Sequence, residues 1–276
     1  MHKAMRLDVH THAFHHKIAH KVLEQLSGHY GISPVGDGTL ADLMARVERA
    51  GLDGCVVHNA ATTPDQVVPA NAWALSIQRD EPRATAFGTL HPGYGPWEAQ
   101  LDLLERGGVR GIKLHPDFQG FRLDDPRLNP MFEAMAGRFA VMVHVGDRLP
   151  PERNPSCPFK LMRVHADHPR LTLIAAHMGG YLHWKWALEC LVGSRVYIDT
   201  SSSVPFMDPA DLAAILRRHP RERVLFGSDY PLFDPGQEIA ALQRAAGLTD
   251  AALEELLGNG AFLVRGGPAR AGAGSP

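Results

Sequence analysis

The run Arg6-Leu-Asp-Val-His10 is short, largely apolar and ends in a histidine. Such a run is typical of a buried β-strand. Seven similar runs follow along the chain, each separated from the next by a segment with helical periodicity. They lie at 54–58, 84–88, 109–113, 140–144, 171–175, 195–199 and 223–227. The sequence therefore predicts eight strands that alternate with helices.

The segments between these runs carry helix signals. Thr39 can cap a helix over 40–50, which Gly51 would end. Asp208 and the following Pro209 are typical of another helix start. Further helices are predicted from Pro96 onward, over 182–192 and over 251–263. Two long connections, 27–38 and 147–159, follow strands and are candidate lids.

Strands that alternate with helices predict parallel pairing through right-handed crossovers. The length of 276 residues suits one (β/α)8 TIM barrel, which typically needs about 250 residues. An open doubly wound sheet is the competing α/β architecture, but the chain lacks a Gly-rich dinucleotide turn. We predict a single barrel over residues 1–265 and a disordered tail over 266–276, which has no apolar anchors.

Composition excludes several classes of partner. The formal net charge is −2, with both signs interspersed, so nothing indicates a nucleic-acid partner or an anionic membrane. No apolar run approaches the roughly 18 residues that a membrane span requires, and no secretion signal is recognisable. Three widely separated cysteines predict neither a disulfide framework nor a zinc knuckle. We expect a cytoplasmic protein.

The first strand reads on into the motif Asp8-Val-His10-Thr-His12. Residues two apart in a strand point to the same side, so His10 and His12 would project together at the carboxyl end. Two imidazoles in this arrangement can bind one metal ion. A single His-x-His is weak by itself, and the prediction depends on what the other strands contribute.

Metal-binding side chains recur at the ends of later strands. His144 ends the fifth, His177 follows the sixth and Asp229 follows the eighth. A barrel brings all its strand ends into one mouth, so these residues would become neighbours. A set of hydrogen-bonded polar residues that caps the core is the structural alternative. We predict one divalent metal, held by His10, His12, His144 and Asp229.

These residue types suit hydrolysis. Neutral imidazoles and a carboxylate bind a cation such as Zn²⁺ and leave a position open for water. The metal would lower the pKa of that water toward about 7. Asp229 could accept its proton, and His177 could orient or deprotonate the water or stabilise an oxyanion on the substrate. Asp229 and His177 are thus the predicted catalytic residues.

The fourth strand adds Gly111-Ile-Lys113-Leu-His115. Lys113 could be an ammonium group that binds a substrate carboxylate, a carbamylated bridge to a second metal, or the partner of a neighbouring acid. His115 would contact substrate or support Lys113. We assign both to substrate binding, with the two-metal site as the alternative. His58 and His91 also end strands, and a structural role suits them equally well.

Taken together, these motifs make the chain similar to the amidohydrolase superfamily. It resembles the "amidohydrolase 2" branch, which is related to aminocarboxymuconate semialdehyde decarboxylase, from Asp8 to about Leu263. The resemblance rests on Asp8-Val-His-Thr-His12, Gly111-Ile-Lys-Leu-His115, Val143-His144, Ala176-His-Met-Gly-Gly180 and Gly227-Ser-Asp-Tyr-Pro231. It implies a mononuclear site with zinc, or else manganese, on the four ligands named above, and His177 beside the metal-bound water.

The branch that the chain resembles contains hydrolases, non-oxidative decarboxylases and hydratases. We expect hydrolysis of a C–N or C–O bond in a small, carboxylated molecule, since the chain is shorter than related decarboxylases commonly are. The alternatives are a metal-dependent decarboxylase (lyase) and a non-catalytic ligand-binding barrel. A homodimer is the default expectation for the assembly.

Overall fold

The computed structural model describes residues 5–264, and the tail predicted for 266–276 lies outside that range. All eight predicted strands are present within one or two residues of the expected bounds, but the third is divided in two. The strands are β1 (Leu7–Thr11), β2 (Gly54–Val57), β3 (Ala84–Ala86), β4 (Gly88–Thr89), β5 (Gly111–Leu114), β6 (Ala140–Val143), β7 (Thr172–Ala175), β8 (Tyr197–Asp199) and β9 (Val224–Leu225).

The strands pair in chain order, and every pairing is parallel. Strands β1 to β3 form one ladder and β4 to β9 a second. Phe87 joins the two ladders, because its N–H still donates to the carbonyl of Val57 at 2.9 Å before β4 turns to pair with β5. The segment directly after β9 hydrogen-bonds with the first strand. Val9 N–H donates to Phe226 O at 2.8 Å, and Asp229 N–H donates to His10 O at 2.8 Å. The architecture is a (β/α)8 barrel.

Successive residues of a strand pack alternately into two separate apolar clusters. The larger cluster joins strand residues such as Val141 and Leu173 to helix residues such as Leu104. The smaller cluster contains Met142 and Ile174 from the same strands. Because strand side chains alternate between faces, the first cluster is the layer between strands and helices, and the second fills the barrel interior.

The longer helices are α1 (Ala19–Tyr30), α2 (Leu40–Arg49), α3 (Val67–Asp80), α4 (Trp97–Arg106), α7 (Pro158–Asp167), α9 (Pro209–Arg218), α10 (Pro235–Ala246) and α11 (Asp250–Gly258). Shorter ones are α5 (Pro116–Gln119), α6 (Asn129–Met135), α8 (Trp184–Cys190) and α12 (Ala261–Val264). Thr39 caps α2 as predicted, since its Oγ1 accepts from Asp42 N–H at 3.2 Å. Asp208 caps α9 in the same way, accepting from Ala210 N–H at 2.8 Å.

Several helix bounds differ from the prediction, and the helix expected over 182–192 is limited to Trp184–Cys190. Helix α1 reaches Tyr30, so the first four residues of the expected 27–38 loop are helical. The single helix expected over 251–263 is two, because Asn259 and Gly260 interrupt it. Helix α4 begins at Trp97, and Pro96 precedes it as the cap residue rather than as the first helical residue.

Among residues 5–264, no helix combines the length and the apolar character that crossing a bilayer would require. Cys55, Cys157 and Cys190 are all free thiols.

Candidate metal centre

The carboxyl ends of the strands bring the predicted residues together. His10, His144, His177, Lys113, His115 and Asp229 are all buried, and His12 is partly buried. Their strands lie far apart in sequence, so only the barrel places them side by side. What each side chain can do depends on the partners of its polar atoms.

His10 is held between an acceptor and a donor. Its Nδ1 lies 3.0 Å from Asp199 Oδ2, and its Nε2 lies 3.1 Å from Lys113 Nζ. A carboxylate accepts hydrogen bonds and an ammonium group donates them. We therefore assign the proton of the ring to Nδ1 and a lone pair to Nε2.

His12 and Asp229 face each other with one hydrogen-bond acceptor each. His12 Nδ1–H donates to the carbonyl of His58 at 2.9 Å, which leaves a lone pair on Nε2. That Nε2 lies 3.3 Å from Asp229 Oδ1, and His10 Nε2 lies 3.6 Å from the same oxygen. The lone pairs of these three atoms thus converge on one position, and a cation there would pair with all three.

His144 and His177 form the next part of the site. His177 Nδ1 lies 3.1 Å from the carbonyl oxygen of Ser201 and must donate to it. Its Nε2 is then an acceptor, so the contact of 2.9 Å to His144 Nδ1 is a hydrogen bond that His144 donates. His144 Nε2 is left with a lone pair, and it is buried without a partner. This unsatisfied nitrogen is what a metal ligand should look like before the metal binds.

The observed donor set fits a divalent cation. Ligand atoms of His10, His12 and Asp229 all lie within 4.8 Å of one another. Imidazole nitrogens with a carboxylate oxygen are typical ligands of Zn²⁺ and related ions. The predicted fourth ligand, His144, lies outside this compact group, because its ring stacks on His115 with centroids 3.9 Å apart. The hydrogen bond from His144 to His177 holds His144 beside the group.

Left-handed backbone marks two of these residues. His177 has φ 62° and Asp229 has φ 66°. Non-glycine residues rarely adopt this conformation, and where they do it commonly serves a functional site. Ser202 donates from Oγ to Asp229 Oδ2 and fixes the carboxylate in its rotamer.

Lys113 lies deeper than a surface anion-binding lysine would. Only 1% of it is exposed, and its hydrogen-bond partner is His10. Burial lowers the pKa of its ammonium group to about 8, against the opposing charges of Asp199 and Asp229. The three interpretations of Lys113 drawn from the sequence stay predictions.

His115 stacks between Phe118 and His144. The ring centroids are 4.0 Å and 3.9 Å away. Its Nδ1 accepts from Phe118 N–H at 3.3 Å and its Nε2 lies 3.3 Å from the Tyr30 hydroxyl. Both nitrogens thus have partners within the protein, and the ring supports His144. Its predicted contact with substrate stays a prediction.

Sequence reasoning missed Asp199 and the roles of the serines after it. The seventh predicted strand ends at Asp199, in the same position as the residues that were singled out. The run Thr200–Ser203 reads equally well as a helix cap or a substrate contact. In the structure Ser201 and Ser202 instead bind side chains of the site. A carboxylate at a strand end was the available signal.

The two other strand-end histidines bind backbone carbonyls. His58 is fully buried and donates from Nε2 to the carbonyl of Val9 at 2.8 Å. His91 binds the carbonyl of Gln119 at 3.1 Å. Both rings thus tie backbone segments together.

Solved structures share this fold at low sequence identity. The IDCase of Metarhizium anisopliae superimposes with a TM-score of 0.68 at 18% identity, covering 95% of this chain and 97% of that one. A 5-carboxyvanillate decarboxylase from Novosphingobium aromaticivorans, with bound manganese, gives 0.70 at 16% identity over 95% and 97%. A putative 2-pyrone-4,6-dicarboxylic acid hydrolase from Pseudomonas putida gives 0.66 at 19% identity over 96% and 98%.

Comparison with curated proteins finds none that matches this sequence. Comparison with protein families gives a match over residues 8–261, nearly the whole chain, to the family described as Amidohydrolase. The match contains all of the strands except Leu7, the first residue of β1, and every residue of the candidate metal centre. The chain is an enzyme that belongs to the amidohydrolase family.

Proposed function

We propose that the protein is a metal-dependent hydrolase that cleaves a C–N or C–O bond in a small, carboxylated substrate. The observation that carries the proposal is the convergence of His10 Nε2, His12 Nε2 and Asp229 Oδ1, three acceptors with no proton between them. His144 Nε2 supplies the fourth lone pair. A divalent cation held by these atoms supplies Lewis acidity, which polarises a carbonyl and lowers the pKa of water toward about 7.

Asp229 and His177 would carry the proton transfers of hydrolysis. One proton must leave the attacking water, and one must reach the departing nitrogen or oxygen. Asp229 supplies one of the three converging lone pairs through Oδ1, and Ser202 holds its second oxygen. His177 Nε2 accepts from His144 Nδ1–H, and it would take up a proton from water once that hydrogen bond opens. The site thus offers two proton-exchanging groups, as the reaction requires.

Lys113 would bind the substrate's carboxylate. Its present partner is the Nε2 lone pair of His10, which a bound cation would take over. The buried ammonium group would then lack an acceptor, and an unpaired buried charge is costly. A substrate carboxylate would restore the pairing. Carbamylation of Lys113 around a second metal is the alternative, and metal stoichiometry separates the two.

Decarboxylation is the second candidate, because several of the solved structures with this fold are decarboxylases, among them 2,6-dihydroxybenzoate decarboxylase. In that reaction the C–C bond to the carboxylate breaks, CO₂ leaves, and a proton from Asp229 or His177 takes its place on carbon. Zinc or manganese, a homodimer and a cytoplasmic location remain predictions for this chain.

The first experiment is metal analysis of tag-free protein, with Asp229→Asn as the test variant. We expect about one zinc or manganese per wild-type chain and clearly less in the variant. His20→Asn is the control, because that side chain is exposed and lies outside the centre. Wild type without metal after growth in zinc and manganese would refute the proposal, and two metals per chain would favour the carbamylated bridge.

The second experiment separates the two reactions. Carboxylated lactones, amides and aromatic acids are incubated with the metal-loaded protein in H₂¹⁸O. Hydrolysis places ¹⁸O in the product acid, whereas decarboxylation releases CO₂ and incorporates solvent hydrogen at carbon. Turnover that shows only the second signature would replace the hydrolase by a lyase.

A further inference from the structure

We propose that Asp199 is the positioning residue that sets the tautomers of His10, His177 and His144 and so prepares the cation site. The inference rests on the proposed metal-dependent function. Asp199 is fully buried at the end of β8, and its two carboxylate oxygens face different parts of the centre. The first oxygen controls His10 directly, and the second controls the other two histidines through Ser201.

The first connection is the bond between Asp199 Oδ2 and His10 Nδ1, at 3.0 Å. Because the carboxylate can only accept, it keeps the proton of His10 on Nδ1 and the lone pair on Nε2. The Nε2 lone pair is the one that meets His12 and Asp229. Metal-binding histidines commonly donate their other ring N–H to a carboxylate, which fixes both tautomer and orientation.

The second connection passes through Ser201. Asp199 Oδ1 accepts from Ser201 N–H at 3.0 Å, from His177 N–H at 3.3 Å and from the Ser201 hydroxyl. Since the hydroxyl proton is directed at Asp199, the lone pairs of Ser201 Oγ face His177 Nδ1 and His10 Nδ1, each at 3.0 Å. Together with the carbonyl oxygen of Ser201, at 3.1 Å, this acceptor keeps the proton of His177 on Nδ1. Nε2 of His177 then accepts from His144 and leaves the lone pair of His144 on Nε2.

Asp199 could instead be a metal ligand, because its carboxylate lies within 4.8 Å of nitrogens of His10 and His177. Two arguments oppose that role. Four N–H and O–H donors already occupy its oxygens. A cation between Asp199 and His10 Nδ1 would also force the proton of His10 onto Nε2, which would then face the Lys113 ammonium, donor against donor, at 3.1 Å.

The direct test is nitrogen NMR of metal-free wild-type protein labelled with ¹⁵N-histidine, with signals assigned by single His→Gln variants. We expect His10, His177 and His144 to be neutral rings protonated at Nδ1. An Nε2-protonated His10 would overturn the inference. This readout needs neither metal nor substrate, so it separates failure of the inference from failure of the proposed function.

The variant Asp199→Asn tests the consequence for metal binding. The amide preserves size but turns an N–H donor toward one of its partners, so we expect His10 or Ser201 to reorient. Zinc and cobalt affinity should weaken about 10- to 100-fold, with about one ion still bound at saturation. Unchanged affinity would overturn the positioning role, and loss of stoichiometry at saturating cobalt would make Asp199 a ligand.

Two further variants make this comparison specific. Asp8→Asn is the matched control, because Asp8 is equally buried and accepts from the backbone N–H of His10 and Ser228, not from an imidazole. It should keep wild-type metal affinity. Ser201→Ala removes a hydroxyl that lies 3.0 Å from both His177 Nδ1 and His10 Nδ1, but it keeps Asp199 as the acceptor for His10 and the backbone carbonyl as an acceptor for His177. The chemical shifts of His177 and His144 should therefore change while His10 keeps its tautomer. A changed His10 tautomer in Ser201→Ala would contradict the two-branch arrangement.

Discussion

At the scale of single residues, the site depends on one close approach between β1 and the segment after β9. Gly227 lies so near His10 that a Cβ at position 227 would be 2.7 Å from the Cβ of His10 and 3.2 Å from that of Ser201. Contacts below 3.0 Å require one of the partners to move. The missing side chain of Gly227 therefore lets His10 occupy its position beside Asp229.

We expect Gly227→Ala to displace His10, and so to weaken zinc binding and destabilise the fold by about 1–3 kcal/mol, the usual range for overpacking. Isothermal titration with zinc and urea unfolding of the metal-free protein measure the two effects. Gly95→Ala is the control, because nothing lies within 4 Å of a Cβ there. Equal zinc affinity in the two variants would show that His10 is not constrained by this contact.

The residues of the centre were only partly predictable. His10, His12 and Asp229 could be found because a barrel collects strand ends, and the structure brings their ligand atoms together. Asp199 could not be separated from other strand-end acids, since its role comes from contacts to residues 189 and 22 positions away in sequence. The stacking of His144 on His115 also depends on side-chain packing, which strand spacing does not determine.

At the scale of elements, the strand and helix pattern could be predicted where local signals were strong. Thr39 and Asp208 cap α2 and α9 because their side chains bond the next turn directly. Helix α1 escaped prediction, since no side chain caps its start. At the break between β3 and β4, the ring of Phe87 occupies the space above Gly111, where even a Cβ would clash. Such a tertiary contact has no local sequence signal.

The cap of α2 provides an element-scale prediction. Thr39→Ala removes the acceptor for Asp42 N–H, and we expect a loss of about 1 kcal/mol in the free energy of unfolding. Thr39→Ser keeps a hydroxyl at the cap and should recover most of the loss. Urea unfolding curves of the three proteins measure it. Equal destabilisation by both variants would assign the effect to the lost methyl group rather than to the cap.

The end of α9 predicts a pH dependence. His219 is 2% exposed, accepts from Gly193 N–H at 3.2 Å and donates from Nε2 to Val196 O at 3.0 Å. Burial lowers its pKa from 6.5 to about 4. Between these values the unfolded chain binds a proton that the folded chain does not. The stabilisation by neutral His219 is therefore complete above pH 6.5 and is lost as the pH falls toward 4.

We therefore expect wild type to exceed His219→Gln in stability by more at pH 7.5 than at pH 4.5. Glutamine offers a donor and an acceptor but does not titrate. Because the comparison is made between two proteins at each pH, titration of all other groups cancels. A stability difference that is independent of pH would mean that His219 is not held neutral by its burial.

At the scale of the whole molecule, the barrel was predictable from the count and spacing of strands, because eight parallel units in this length leave few arrangements. Its closure has a consequence for stability. The proposed ligands come from β1, from the end of β6 and from the segment after β9, so one cation would tie the first and last strands of the barrel to a strand midway around it. Ligands that bind only the folded state stabilise it by mass action.

We expect zinc at 100 times its dissociation constant to stabilise the wild type by about 2.7 kcal/mol, which raises the Tm by several degrees for a protein of this size. Asp229→Asn should lose most of this shift, since it removes the carboxylate from the converging set. The variant His20→Asn should keep it. Thermal unfolding of chelator-treated protein, with and without added zinc, measures the shift. If Asp229→Asn gained as much stability as the wild type, zinc would be acting elsewhere on the molecule, and the cross-barrel link would have to be abandoned.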